Sequence, residues 1–67
     1  MKIWVNGEPA DIDDGLTSVA ELAARYGLAP NSVLIEHNLT ALHQREWTDR
    51  PIKEGDRVEF VRVVAGG

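Results

Sequence analysis

Only one stretch of this chain has the period of a helix. In "LTSVAELAARYGLAP", Val19, Leu22, Ala23 and Tyr26 fall at i, i+3, i+4 and i+7, which places them in a single apolar stripe. Ser18 and Glu21 have capping-box spacing at its start. Gly27 suits the left-handed residue that closes a helix, and Pro30 prevents continuation. Asp13 and Asp14 stand just upstream, where negative charge suits the helix dipole. The rest of the chain reads as strands and turns. One helix can cover one face of one sheet, so the expected fold is an α+β roll with a mixed sheet and one helix packed on one face.

The strands follow from alternation and turn chemistry. "KIWVN" is a β-run followed by Asn6-Gly7, a strong hairpin signal, and "EPADID" is its return strand, with Pro9 at an edge or strand start. Alternation puts Met1, Ile3 and Val5 on one face and Lys2, Trp4 and Asn6 on the other. "SVLIEHN" reads as a third strand, and "LTALHQREWTDRPI" as a short strand and a turn anchored by Trp47 and Ile52. "KEGD" is a turn and "RVEFVRVV" the last strand, with Val58 and Phe60 inward and Glu59, Val61 and Val63 outward. If the first and last strands are central neighbours, they run parallel, because the helix crossover lies between them.

With 67 residues the chain is expected to form one domain over residues 1–64, followed by a tail at 65–67. A core of this size supplies only about 3–5 kcal/mol. No cysteine is present to staple it, and none to act as a thiol nucleophile or redox group. That composition suits a reducing, cytoplasmic setting. No stretch approaches the ~18 apolar residues of a membrane span, and the opening residues read as folded structure rather than a signal peptide. A net charge of −4, from 11 acidic and 7 basic residues, argues against general nucleic-acid binding and favours a basic partner.

Catalytic and metal chemistry find little support. His37 and His43 lack a third ligand type nearby, and alternation points His37 inward beside Ile35 as a hydrogen-bonded histidine. "DIDDG" places Gly15 where a calcium loop needs an acid. No serine, histidine and aspartate arrangement suggests a triad, and so small a domain has little room for a water-excluding pocket; the chain is not expected to be an enzyme. Two features stand out instead. Trp4, Leu34, Val61 and Val63 fall at outward positions on three strands, and if those strands are neighbours they form an apolar docking face. The last strand then runs into Ala65-Gly66-Gly67. Three or four extended residues reach roughly 10–14 Å, and glycine passes through a narrow slot because it has no Cβ. A terminal carboxylate in such a slot is a group that can be activated as a mixed anhydride with AMP and then accept a nucleophile.

These residues resemble the ubiquitin-like β-grasp sulfur carriers, and most closely the thiamine-pathway family known as ThiS. "IWVNGEP" is similar to that family's opening hairpin, "TSVAELAARYGL" to its helix, and "REWTDRPIKEGDRVEFVRVVAGG" to its final block with Trp47, Gly55-Asp56 and Gly66-Gly67. The resemblance covers nearly the whole chain. The sequence departs from the family where Asn38-Leu39 stands in place of Asn-Gly or another polar turn, where Leu42-His43-Gln44 replaces Val-Pro-Arg, and where His37 replaces an aliphatic residue. The resemblance implies a carrier that binds no cofactor itself. An adenylating enzyme of the ThiF type would use ATP and Mg2+ to activate Gly67. A cysteine desulfurase or other persulfide donor would supply the sulfur that leaves Gly67 as a thiocarboxylate, and thiazole synthase (ThiG-like) would receive it. On this reading Gly66 and Ala65 thread the partner's active site, and Trp4, Leu34, Val61 and Val63 dock. The alternatives are a molybdopterin-synthase small-subunit-like carrier, a ubiquitin-like modifier joined to a target lysine, and a plain interaction domain.

Overall fold

The computed structural model describes residues 1–63. Its first hairpin joins β1 (Lys2–Val5) to β2 (Glu8–Asp11), and Asn6 and Gly7 both take positive φ, 52° and 84°. That pair of angles is what a two-residue hairpin loop requires, and asparagine followed by glycine is the residue pair that adopts it most readily. The helix α1 covers Val19–Arg25, followed by β3 (Val33–His37), β4 (Thr40–Leu42) and β5 (Arg57–Arg62). Single 3-10 turns at Pro30–Ser32 and Gln44–Glu46 fill the connections.

The strands form one sheet in the order β2-β1-β5-β3-β4. β5 lies at the centre, parallel to β1 with Trp4 opposite Arg57, and antiparallel to β3 with Ile35 opposite Phe60. The expected parallel pairing of first and last strands, and the mixed sheet that results, are therefore present.

Helix α1 starts at Ser18, whose hydroxyl accepts from the Glu21 N–H at 3.2 Å. The second half of the box is displaced by one residue. Glu21 Oε1 accepts from the Thr17 N–H at 2.7 Å and not from Ser18. Gly27 closes the helix at φ 69°. Asp13 and Asp14 do not serve the helix dipole as expected, because the helix begins five residues beyond Asp14. Asp14 instead pairs with the Met1 ammonium at 2.7 Å, and Asp13 Oδ1 accepts from the Gly15 N–H at 3.1 Å.

Val19, Leu22 and Ala23 of the helix meet Ile3, Val5, Val33, Ile35 and Val58 of the sheet. Burying each of the valine, leucine and isoleucine side chains contributes about 1.5–3 kcal/mol. Tyr26, the last residue of the expected stripe, is 42% exposed; its ring rests against Phe60 with centroids 5.3 Å apart. Trp47 and Ile52 are buried anchors, as their segment suggested. Both belong to the core cluster on the helix side, so the Trp47 segment gives no cover to the opposite face. Trp47 also carries the fold's exception, an indole N–H with no hydrogen-bond partner among the described residues.

Candidate functional site

The face of the sheet away from the helix is built by every second residue of β1, β5 and β3. Trp4 comes from β1, Arg57, Glu59 and Val61 from β5, and Leu34 and Glu36 from β3. The register sorts them into rows across the sheet. Leu34 lies opposite Val61, Glu36 opposite Glu59, and Trp4 opposite Arg57. Leu34 is 60% exposed, Val61 50% and Val63 47%, so these three form an apolar area at the end of the sheet from which the chain leaves. Trp4 faces the same side, separated from Val61 by the four residues of β5 that follow Arg57, or about 13 Å of strand. The four residues expected at the docking face therefore share a side but fall into two groups, with the glutamate row between them.

Trp4 is half-buried by cations. Lys2 Nζ lies 5.3 Å from its ring centroid and the Arg57 guanidinium carbon 5.7 Å, both within range of the negative ring face. Beside it is a shallow cavity of about 140 Å3 whose lining includes Trp4, Glu36, Leu39, Arg57 and Glu59. Leu39 was not foreseen as a surface feature. It sits in the β3–β4 turn with φ 72°, follows Asn38 at φ 49°, and is 86% exposed. Its visible signal was the Asn38-Leu39 pair standing where glycine is the easier second residue. Glu36 and Glu59 were missed because their pairing depends on strand register, which alternation alone does not supply.

A second polar cluster lies on the inner side of the sheet. His37, 5% exposed, is buried and hydrogen-bonded as its strand position implied. Arg50 Nε donates to its Nδ1 at 2.8 Å, and its Nε2 lies 2.7 Å from Asp56 Oδ2. An acceptor at Nδ1 places the ring proton on Nε2, which donates to Asp56. Burial pushes the Asp56 carboxyl up, but His37, the Lys53 N–H and Asn38 all favour its ionised form and leave it below the ordinary carboxylate value. This cluster ties β3 to the turn before β5. Among the described residues no group of three or more acidic, histidine or cysteine side chains is placed to hold a metal ion, and no helix is long and apolar enough to cross a membrane.

The route to the tail is defined as far as Val63, whose N–H donates to the Ser32 carbonyl at 2.9 Å. Ala65, Gly66 and Gly67 lie outside the described residues. Leu34 and Val61 stand opposite each other near Val63, the last described residue.

Comparisons with known proteins agree along nearly the whole chain. The ThiS family model matches residues 3–67. The sulfur carrier protein ThiS of Thermus thermophilus is 32% identical over 65 residues, which is 97% of this chain and 98% of that protein. A thiazole synthase of Magnetococcus marinus is 33% identical over 67 residues; the match takes in all of this chain but only 20% of that protein. The same share holds for a second thiazole synthase, from Paramagnetospirillum magneticum, at 28% identity. The chain thus spans about one fifth of the length of these two relatives. The crystal structure of the thiamine biosynthesis protein ThiS from Geobacter metallireducens superposes with a TM-score of 0.86 at 32% identity, covering 100% of both chains.

Proposed function

The chain belongs to the ThiS family of β-grasp proteins, and from that premise we propose that it is a sulfur carrier of thiamine biosynthesis whose working group is the Gly67 carboxylate. The observation that carries this reading is the reach of the family match, which runs from the first strand through Gly66-Gly67. The chemistry asks little of the domain itself. A carboxylate is a poor electrophile, so an adenylating partner of the ThiF type, using ATP and Mg2+, converts Gly67 to an acyl-adenylate and releases pyrophosphate. The terminal sulfur of a persulfide, formed by a cysteine desulfurase or another donor, attacks the acyl carbon and expels AMP. A thiol then cleaves the resulting S–S bond and leaves the thiocarboxylate. Thiazole synthase is the acceptor, a partner suggested by the two relatives of that name. The domain supplies a handle and a reactive end, and the catalytic groups belong to its partners. The absence of cysteine suits this role in a reducing cytoplasm, since the carrier offers no thiol of its own to the persulfide.

Within this scheme Gly66 and Ala65 thread the partner's active site, and the face bearing Trp4, Leu34, Val61 and Val63 docks. The test is the intact mass after incubation with an activating enzyme, ATP, Mg2+ and a persulfide source. A gain equal to one oxygen replaced by sulfur, absent when Gly67 is deleted and with unchanged thermal melting, is the expected result. Conjugation to a protein lysine instead would move the chain to the ubiquitin-like modifiers. A truncated chain that still delivers sulfur would remove Gly67 from the mechanism.

A further inference from the structure

Glu36 and Glu59 stand directly opposite each other on neighbouring strands. Like charges in that position destabilise a sheet, and neither carboxylate has a salt-bridge partner among the described residues. The cations close by are engaged elsewhere, since Lys2 and Arg57 lie over the Trp4 ring. The glutamates line the shallow cavity of about 140 Å3 together with Trp4, Arg57 and Leu39. Leu39 adds a second unfavourable feature at the same spot, an apolar side chain 86% exposed on a backbone with φ 72°. A like-charge pair and a strained, exposed leucine around one cavity are costs that the fold does not need. Local strain kept in this way points to a function at the position.

We propose that this cavity receives an arginine side chain of the thiazole synthase partner, with Glu36 and Glu59 accepting from the guanidinium while Leu39 and the edge of Trp4 cover its flat faces. The cavity is smaller than the ~300–1,000 Å3 of small-molecule sites but open enough for the end of one long side chain. Two carboxylates against one Arg57 leave the lining net negative. A planar fork that bridges two carboxylates and stacks on apolar surface is a property of arginine that lysine lacks. The choice of thiazole synthase rests on the relatives of that name, in which the stretch matching this chain is part of the same polypeptide. The inference depends on the docking role proposed above for this face and assigns the charged centre of that contact.

The test is titration calorimetry of the intact chain against purified thiazole synthase at low and at high salt. The double variant Glu36→Gln/Glu59→Gln should bind about tenfold more weakly at low salt and lose most of the salt dependence. Its melting temperature should be equal to or above that of the parent, because the repulsion is gone. Leu39→Gly should weaken binding several-fold while raising the melting temperature, a combination that a purely structural leucine does not give. If the double glutamine variant binds like the parent with the same salt slope, no cation is recognised and the proposal fails. Leu34→Ala/Val61→Ala separates that failure from failure of the docking face. Weakened binding in this variant alone keeps the face and rejects the arginine site. If the parent does not bind, or neither variant weakens binding, the docking role and the arginine site fall together.

Discussion

The turn Asn6-Gly7 and the turn Asn38-Leu39 solve one geometric problem with different residues. Each reverses the chain within two residues, each holds both residues at positive φ, and each begins with an asparagine that reaches across to β5. Asn6 Oδ1 accepts from the Phe60 N–H at 2.8 Å, and Asn38 Oδ1 accepts from the Arg57 N–H at 2.9 Å. The asparagines thereby tie both hairpins to the central strand, where the ladder would otherwise leave donors open. The second residues differ. Gly7 adopts φ 84° without strain and a Cβ there would meet nothing within 4 Å, whereas Leu39 carries a full side chain at φ 72° into solvent. The first turn meets its backbone demand without strain, although Gly7 borders the same shallow cavity as Leu39. The second accepts strain beside Trp4 and the glutamate pair, which marks that end of the outer face as the part of the surface whose residues answer to something other than stability.

The largest effect is expected at the asparagine of the second turn. Asn38→Ala loses the bonds to Arg57 N–H and to Asp56 Oδ1, and places a Cβ residue with no local hydrogen bonding in the left-handed region. The loss should be about 2–3 kcal/mol, read as a lower midpoint in urea. Next comes Gly7→Leu, which gives the first turn the chemistry of the second. With open space around it, the cost is conformational only, about 1–2 kcal/mol. A cost well under that would mean leucine is not strained in such a turn, and the contrast between the hairpins would lose its basis. Smaller still is the reverse exchange. Leu39→Gly should stabilise the fold by about 0.5–1 kcal/mol, the relief of strain less the entropy of glycine.

The smallest effect near neutrality is that of pH itself, read through Asp56, which anchors the second turn through Asn38. Its folded value lies below the ordinary ~3.9, so the stability it adds is complete above that pH and is lost as pH falls through the folded value. Urea midpoints should therefore fall on acidification below about pH 4. Asp56→Asn should flatten that limb, leaving the part owed to Asp14, which the Met1 ammonium holds low in the same way.

Local signals carried most of the architecture. The 3.6-residue stripe, the Asn6-Gly7 pair and the alternation of the strand runs are written within a few residues of one another, so the helix, the first hairpin and the inward set Ile3, Val5 and Val58 could be read directly. What could not be read was set by distant parts of the chain. Asp14 found the Met1 ammonium because β2 returns alongside β1. Tyr26 left the helix stripe because Phe60 of β5 offered it a ring to pack on. The outward set was right in direction but incomplete. Trp4, Leu34, Val61 and Val63 were visible as apolar residues at alternating positions, while the Glu36–Glu59 row that divides them exists only once β3 and β5 are in register. His37 showed its inward direction from strand position, but its partners Arg50 and Asp56 come from the connection between β4 and β5.

The parallel contact between β1 and β5 has a mechanical consequence. The chain enters the sheet at Lys2 and leaves it past Arg62, at opposite ends of two neighbouring parallel strands. A force applied between the amino end and the segment beyond Val63 therefore acts along the strands. It loads the Trp4 N–H to Asp56 carbonyl bond and the Asn6 N–H to Val58 carbonyl bond together, and shears them instead of opening them one at a time. The antiparallel ladder between β3 and β5 lies along the same line of force. If a partner draws this end of the chain into a narrow channel, as proposed above, the pull runs along β5, and its hydrogen bonds to β1 and β3 must shear together before the strand is released.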